Sequence, residues 1–372
     1  MNKLIFANLF HRPLRSIISV LAVAIEVIMI LSIVGIFMGM LNDQKQRTNG
    51  IGADLMLLPS NASLFNGVGG ASMPIRDAEA LNKLPHVTVA SPAIQKFTSS
   101  GNIEILYGID YASYNALKPF IFLSGGPFRG PNDVIVDSVF AASRNPATGT
   151  PYAVGDAVSL MDHAFRISGI VEPGKGGRKL ISLEAMGELT GAENKASLFY
   201  IKCDSPANNE LVMQEIRSTP GFGNNTLTTV DSWMNQMTPS KIPGFNIALS
   251  VITGIAVIIG FLVIFQSMYT AILERTREIG ILKSMGASKS AIVSVVLREC
   301  AVLAAAGVII GIAGTCGVRL LLAHFFPTMN FEITAGWLLR GALIAFAGAI
   351  LGAMYPAWIA ARKDPIDALA YE

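Results

Sequence analysis

Four long apolar segments constrain this chain more than any other feature. They lie near residues 17–41, 244–273, 299–326 and 336–360, and each is long enough to cross a bilayer, which takes roughly 20 apolar residues. The composition agrees, since 52% of the 372 residues are hydrophobic and 15% are charged, whereas soluble domains carry about a quarter charged residues. The net charge of +2 excludes an electrostatic argument for nucleic-acid binding. We therefore expect a membrane protein with four transmembrane helices.

The distribution of lysine and arginine predicts how these helices are oriented. Basic residues flank the start of the chain, the connection 274–298 and the tail 361–372, whereas the short connection 327–335 has none. Because basic residues accumulate in cytoplasmic loops, both termini and residues 274–298 are predicted to face the cytoplasm and residues 42–243 to lie outside. Residues 1–16 are expected to form a cytoplasmic amphipathic helix on the membrane surface. The apolar stretch after them is too long for a signal peptide, which predicts an uncleaved anchor.

The 42–243 insert reads as a globular α+β domain. The sequence NDVIVDSVFAA predicts a strand that enters a short helix, and DAVSLMDHAFRISGIVE predicts a hairpin that turns at Asp162 and His163. Short helices are expected at DAEALNKL and NNELVMQEIRST, whereas the glycine-rich EPGKGGRK is expected to be a mobile basic loop. The fold class is therefore membrane α-helical with four transmembrane helices, plus an α+β extracytoplasmic domain between helices 1 and 2.

Motifs that would indicate catalysis are absent from the sequence. The order GxxxxGK[ST] of a phosphate-binding loop does not occur, and neither does the GxSxG elbow of a serine hydrolase. The four histidines do not stand at metal-ligand spacing, and three cysteines cannot form a disulfide framework. We expect no catalytic residue, no metal site and no cofactor bound by this chain.

The connection after the second apolar segment carries a dense block of charges, ERTREIGILKSMGASKSAI, residues 274–292. If the second helix continues beyond the bilayer, Glu274 and Glu278 share one face, and Arg275 and Lys283 lie elsewhere on the surface. Gly286 can adopt the left-handed conformation that ends a helix, and the Ser288 side chain can cap the next helix. The pattern predicts a helix–turn–helix at the cytoplasmic face. The alternative is a solvated loop whose charges only fix the topology.

This block resembles the cytoplasmic signature of the MacB/FtsX/LolC-type ABC transporter permeases, E-I-G-x-L-[KR]-[AS]-x-G-[AM]-[ST]-[KRP]. The segment PAWIAARKDPIDAL, residues 356–369, is similar to the pattern that ends members of that family. The family also has one helix, a large extracytoplasmic domain and then three helices. In that family the connection after the second helix docks on an ATPase subunit. The resemblance implies this ATPase-coupling role for Glu274, Arg277, Glu278, Ile279, Gly280, Leu282, Lys283, Gly286, Ala287 and Ser288.

The resemblance also implies a function and partners. It implies a permease subunit in the bacterial cytoplasmic (inner) membrane, working as a homodimer with two copies of a separate ATPase subunit that uses ATP and Mg²⁺. ATP-driven movement would then reshape the extracytoplasmic domain and export or extrude a hydrophobic or amphipathic substrate. The alternative is a mechanotransmission scaffold that activates an extracytoplasmic cell-wall hydrolase. A domain of some 200 residues favours the exporter, and a periplasmic adaptor stays open as a further partner.

Two features inside the apolar segments need separate mention. Glu26 is a lone carboxylate in the first segment and, with Met29, suggests an intramembrane site for an amphipathic or haem-like ligand. The alternatives are a hydrogen bond to a neighbouring helix, a protonated carboxyl in the bundle, or pairing with Arg319 if the depths match. Glycines four residues apart, Gly307 with Gly311 and Gly348 with Gly352, allow close helix packing within one subunit or at a dimer seam.

Overall fold

The computed structural model describes residues 13–60, 72–98, 104–236, 238, 241 and 244–363. The helices, in chain order, are α1 (Pro13–Asn49), α2 (Asp77–Leu81), α3 (Tyr111–Leu117), α4 (Ser138–Ala141), α5 (Leu183–Thr190), α6 (Asn209–Ser218), α7 (Val230–Gln236), α8 (Phe245–Glu274), α9 (Thr276–Ser284), α10 (Lys289–Phe325) and α11 (Ala335–Arg362), with a 3₁₀ turn at Pro206–Asn208. The strands are β1 (Leu55–Leu58), β2 (Met73–Pro74), β3 (Val87–Thr98), β4 (Glu104–Ile109), β5 (Phe122–Gly125), β6 (Asp133–Asp137), β7 (Ala157–Leu160), β8 (His163–Val171), β9 (Lys179–Ser182), β10 (Lys195–Ala196), β11 (Leu198–Cys203) and β12 (Thr226–Thr229).

These elements form two compact units. The membrane unit contains the described residues up to Gly39, from 244 to Phe325 and from Met329 to 363. The sheet domain contains the described residues from Met40 to 241 together with the short segment Phe326–Thr328. The segment Phe326–Thr328 follows α10 in the chain and precedes α11, so the sheet domain includes a connection between two membrane helices.

Four helices of the membrane unit, α1, α8, α10 and α11, are long and apolar enough to cross a membrane. Helix α1 runs beyond its predicted segment and ends at Asn49 rather than near 41, whereas α10 begins at Lys289, directly after the predicted cap Ser288, and continues through the third apolar segment. Gln44, Lys45 and Gln46 near the end of α1 are good helix formers, and sequence hydropathy alone does not detect such an extension. The predicted amphipathic helix 1–16 lies mostly outside the described residues, and so does the tail from residue 364.

Small residues allow the four helices to pack closely within the chain. A Cβ added at Gly307 would lie 2.6 Å from Cβ of Val23, and one added at Gly311 would lie 2.6 Å from Cβ of Val27. A Cβ at Gly352 would lie 2.8 Å from the Phe261 carbonyl oxygen. Both predicted glycine pairs therefore contact helices of the same subunit, which supports the packing alternative.

The sheet domain is built on one ten-stranded mixed sheet and a two-stranded ribbon of β2 and β10. The order of the main path is β12-β1-β11-β3-β4-β9-β6-β8-β5, with β7 paired to β8. Among the described strands, only the pairs β4–β9 and β6–β8 are parallel. The predicted strand–helix NDVIVDSVFAA is confirmed as β6 and α4, and DAEALNKL and NNELVMQEIRST contain α2 and α6.

The predicted hairpin DAVSLMDHAFRISGIVE is confirmed as β7–β8, but its turn is one residue earlier than expected. Leu160 pairs with His163, so the two turn residues are Met161 and Asp162, which have φ of 50° and 64°. Positive φ at both central positions matches the twist of the flanking strands. Asparagine or glycine usually indicates such a turn. Methionine does not, so the sequence did not predict a turn at Met161.

Candidate functional site

The charged block after α8 forms two helices rather than one continuous helix. Helix α8 ends at Glu274, Arg275 leaves the helical conformation with φ −108° and ψ 18°, and Thr276 begins α9. The Thr276 hydroxyl donates to the carbonyl oxygens of Ile272 at 3.1 Å and Leu273 at 2.8 Å, which satisfies acceptors that the end of α8 leaves open. The helix is interrupted between Glu274 and Glu278, so these two exposed residues do not lie on one continuous helix as expected.

Arg275 is held inside this region, contrary to the expectation that it lies on the surface. Its Nη1 donates to Glu299 Oε1 at 3.1 Å and to Oε2 at 3.2 Å, and both side chains are largely buried. The ion pair ties the break between α8 and α9 to helix α10. Sequence reasoning missed both residues, although a lone glutamate at the edge of an apolar segment was a usable signal.

Helix α9 has a buried face and an exposed face. Ile279 is buried with Ile272, Ile292 and Ala360, so residues from α8, α9, α10 and α11 meet in one apolar cluster. Arg277 and Glu278 are exposed on the other side. This face also carries apolar side chains, because Ile281 is 43% and Met285 71% exposed. Such a mixture of charge and exposed apolar surface suits contact with another protein, and Met285 was not among the predicted residues.

The turn after α9 has the predicted glycine and cap. Gly286 has φ +90°, its N–H bonds the Lys283 carbonyl at 3.0 Å, and the Ala287 N–H bonds the Leu282 carbonyl at 3.0 Å. These two bonds form a Schellman motif, which needs a left-handed residue after the helix. Ser288 Oγ then accepts from the Ala291 N–H at 3.2 Å. The predicted helix–turn–helix is confirmed, and the alternative that its charges only fix the topology stays open to experiment.

Lys283 also points inward rather than lying on the surface. Its Nζ donates to the carbonyl oxygen of Ala361 at 3.1 Å and to that of Lys363. Both carbonyls lie at the C-terminal end of α11, where a cation is favourable. Helix α9 is thereby fastened to α11 by Lys283 and to α10 through the neighbouring Arg275.

A small cavity of about 210 Å³ lies between α8, α9 and α10. Apolar side chains such as Ile279, Leu282 and Val296 form most of its wall, and Arg275, Glu278 and Glu299 border it. Leu282 and Ala287 are half-buried at its rim. Of the predicted coupling residues, Arg277, Glu278, Gly286 and Ser288 are therefore exposed, and Ile279, Gly280 and Lys283 act as internal support.

The sheet domain contains a second cluster of charges that the sequence did not indicate. The guanidinium of Arg178 donates to Asp137 Oδ2 at 3.1 Å, to both carboxylate oxygens of Asp43 at 3.0 Å, and to the Thr328 carbonyl at 3.1 Å. Arg178 is 8% exposed and Asp137 2%. Burial raises the pKa of Asp137, and the neighbouring Arg178 charge opposes that rise. One arginine thus joins the end of α1, the sheet and the connection between α10 and α11.

The segment PGKGGRK, residues 173–179, is packed rather than mobile, so the expectation of a mobile basic loop is wrong. Lys175 is 7% exposed, and its Nζ donates to the Lys118 carbonyl at 2.5 Å and lies 4.9 Å from the Phe120 ring centre. Burial, aided by the charges of Lys118 and Lys202, lowers the pKa of Lys175 to about 8. The Gly176 N–H donates to the Arg47 carbonyl at 3.0 Å, which fixes the segment against the end of α1.

Glu26 is buried in the membrane unit, 3% exposed. Neither carboxylate oxygen has a hydrogen-bond partner among the described residues, so the alternatives of a hydrogen bond to a neighbouring helix and of pairing with Arg319 are wrong. The carboxyl instead lies against two glycines: a Cβ at Gly260 would be 2.0 Å from Oε2, and one at Gly348 would be 3.8 Å from Oε1. Met29 is half-buried. A ligand site at Glu26 and Met29 stays a prediction.

Among the described residues, no three His, Cys, Asp or Glu side chains come together as a metal ion would require. The arrangement at α9 offers exposed charged and apolar groups on one face and internal contacts that support them on the other. Its exposed groups are borne by a short helix that three neighbouring helices hold in place.

Two protein-family models match this chain. The family model described as the MacB-like periplasmic core domain matches residues 16–219, and the one described as the FtsX-like permease C-terminal matches residues 250–365. The first covers most of α1 and the sheet domain up to residue 219, and the second runs from residue 250 in α8 to the end of α11 and includes the charged block.

Curated relatives show similarity over nearly the whole chain. The macrolide export ATP-binding/permease protein MacB of Neisseria gonorrhoeae is 24% identical over 402 residues, which cover 98% of this chain and 60% of that protein. The uncharacterized ABC transporter permease YknZ of Bacillus subtilis is 39% identical over 124 residues, covering 32% of this chain and 30% of that protein. The chain spans about three fifths of the length of the MacB relatives. The crystal structure of the periplasmic region of MacB from Actinobacillus actinomycetemcomitans matches 51% of this chain with TM-score 0.38 and 15% identity.

Proposed function

Because the chain belongs to the family of ABC transporter permeases with a MacB-like periplasmic core domain and an FtsX-like C-terminal region, we propose that it is a membrane subunit driven by a separate ATPase. The ATPase, with ATP and Mg²⁺, moves the helices of the membrane unit, and the movement reshapes the sheet domain. A hydrophobic or amphipathic substrate is exported or extruded as a result. The working unit has two copies of each subunit.

The observation that carries this proposal is the construction of α9. Its exposed face presents Arg277, Glu278 and the apolar Ile281 and Met285. Its opposite face is fixed by the Ile279 cluster and by Lys283. A short helix held in this way transmits an applied force to α8, α10 and α11, which a free loop would absorb. The exposed face is the surface on which the ATPase docks.

The Arg178 cluster supports the same proposal from the sheet domain. The guanidinium binds Asp43 near the end of α1 and the carbonyl of Thr328 between α10 and α11. Displacement of either helix end therefore pulls on Arg178, which directly precedes strand β9. In this proposal the sheet domain lies outside the cytoplasmic membrane, and α9 and both termini lie inside, as the basic residues predict.

The test is capture of the ATPase by the full-length protein. Tagged protein is purified gently from native membranes, and co-purifying proteins are quantified by mass spectrometry. Glu278→Lys reverses one exposed charge on α9, and we expect at least a tenfold loss of a retained ABC ATPase. Glu210→Lys makes the same charge change at an exposed site on α6 of the sheet domain, and retention is expected to be unchanged.

Two results would contradict the proposal: no ATPase retained by the native protein in several detergents, or equal retention by Glu278→Lys. A cell-wall hydrolase in the eluate would favour the mechanotransmission scaffold. A periplasmic adaptor would favour export.

A further inference from the structure

An open groove of about 660 Å³ lies between α10 and α11 of the membrane unit. Its wall on α10 includes Ser290, Ser294, Leu297 and Arg298, and its wall on α11 includes Phe346 and Ile350. The two serines and the arginine are spaced four residues apart and form one polar stripe along α10. The remaining lining residues are apolar, so a polar stripe borders an apolar trough.

Arg298 and Arg275 differ in their exposure and in their partners. Arg275, at the break between α8 and α9, is paired with Glu299, whereas Arg298 is exposed and has no hydrogen bond or ion pair within the part of the chain that the structure describes. The described residues that line the groove include no acidic side chain. The groove therefore offers a positive charge that no described residue of the chain neutralises.

The position of Arg298 along α10 sets its depth in a membrane. Between Arg298 and Arg319 lie 20 residues, of which Glu299 alone is charged, and they span about 30 Å at 1.5 Å per residue. That length equals the thickness of the hydrocarbon core. Arg298 thus lies at the level of the lipid headgroups on the same side as α9, and the apolar part of the groove extends from there into the hydrocarbon.

We propose that this groove binds an anionic phospholipid from the leaflet on the side of α9. The guanidinium of Arg298 matches a phosphate in charge and in the geometry of its donors, and the Ser294 hydroxyl is a further donor beside it. An acyl chain lies along Leu297, Phe346 and Ile350. With no carboxylate in the lining to bind an ammonium headgroup, the groove favours a lipid of net negative charge over a zwitterionic one. This site does not depend on the function proposed above.

The experiment measures which lipids the full-length protein retains. Purified protein is exchanged into mixed micelles with phosphatidylglycerol and phosphatidylcholine at one to four, re-isolated, and its bound lipids are counted by native mass spectrometry. We expect the native protein to enrich phosphatidylglycerol about fivefold or more, and Arg298→Ala to lose that enrichment. Arg298→Lys should retain part of it, because the charge remains but the donor fork is lost.

Arg319→Ala is the matched control, since Arg319 is also exposed on α10 at the other end of the apolar stretch. Its enrichment is expected to equal that of the native protein. Protection of the buried thiol of Cys300 against alkylation shows that each variant is folded. Equal enrichment by Arg298→Ala and the native protein would overturn the proposal.

A second copy of this chain is the competing occupant of the groove. Ser294→Cys, made in a Cys316→Ser background that removes the exposed thiol, tests it with a short bifunctional maleimide in native membranes. We expect the variant to stay monomeric on a denaturing gel and to be labelled by a photoreactive phosphatidylglycerol. A cross-linked dimer through residue 294 would show that protein fills the groove, and the lipid assignment would fail.

Discussion

Two segments of this chain have similar residue composition but different structures. KSMGASK, residues 283–289, and PGKGGRK, residues 173–179, both combine glycine with basic residues. Gly286 in the first has φ +90° and open space around it, whereas Gly176 in the second has φ +79° and would place a Cβ 2.7 Å from the Tyr107 ring. The first is an exposed turn between helices, and the second is packed into the sheet domain with Lys175 and Arg178 buried. Local composition therefore tells little about burial, which depends on partners far away in sequence.

The largest expected effect comes from removing the cation that the buried Asp137 shares with the partly buried Asp43. Arg178→Ala leaves Asp43 and Asp137 without their shared cation, and breaking a buried pair costs about 3–5 kcal/mol. The control is Arg166→Ala, because Arg166 is 61% exposed and the N–H groups of Arg129 and Gly130 still bind its partner, Asp133. We expect that change to cost less than about 1 kcal/mol.

The measurement is denaturant unfolding of the full-length protein, followed by fluorescence of Trp233 with Trp337 and Trp358 replaced by phenylalanine. Trp233 packs against the core of the sheet domain, so it reports on that unit. Equal unfolding midpoints for Arg178→Ala and Arg166→Ala would show that the Arg178 cluster does not stabilise the sheet domain.

The second prediction compares substitutions at the two glycines, Gly176 and Gly286. Gly176→Ala forces an alanine into a left-handed conformation and places its Cβ against Tyr107, which together cost about 2–4 kcal/mol. Gly286→Ala meets only the backbone strain, about 1–2 kcal/mol. Trp233 fluorescence measures the first variant, and alkylation of the buried Cys300 in α10 measures the second. If Gly286→Ala proves the more damaging, the distinction between a packed and an open glycine is wrong.

A packed glycine and an open glycine can also be compared within α8. A Cβ at Gly260 would lie 2.0 Å from Oε2 of Glu26, whereas Gly254 has nothing within 4 Å. We expect Gly260→Ala to destabilise the membrane unit by about 1 kcal/mol, because the end of the Glu26 side chain must shift, and Gly254→Ala to be neutral or slightly stabilising. Alkylation of Cys300 during unfolding is the measurement. Glu26→Ala should rescue Gly260→Ala, and additive effects in this double-mutant cycle would contradict the contact.

The part of the fold that sequence predicts well depends on local signals. Helix length, alternation in β7 and β8, Gly286 as a helix end and Ser288 as a cap all act within a few residues, and the structure has each of them. The family resemblance, confirmed by the matched domains, came from the same short stretches.

The missed features involve long-range partners. Arg178 meets Asp43 across 135 positions of sequence, and Lys283 meets Ala361 across 78. A basic residue near glycine is usually solvated. Only the fold shows that a distant carboxylate or the carbonyl end of a helix contacts it. The break at Arg275 was missed for a similar reason, because Glu299, which holds that residue, is supplied by the next helix.

The smallest expected effect is a pH dependence that Lys175 confers on the sheet domain. Its pKa is lowered by burial from 10.5 to about 8, so between pH 8 and 10.5 the unfolded chain binds more protons at this site than the folded one. The free energy of unfolding therefore rises with pH in this window, by at most about 1 kcal/mol between pH 8 and 9. Lys175→Met removes the titrating group, although it also removes the bond to the Lys118 carbonyl, so the slope with pH rather than the absolute stability is compared. We expect Trp233 unfolding midpoints to rise from pH 8 to 9 more steeply in the native protein than in Lys175→Met. Parallel slopes would mean that Lys175 keeps an ordinary solvated pKa, and the segment 173–179 would then be as open in solution as the turn at Gly286.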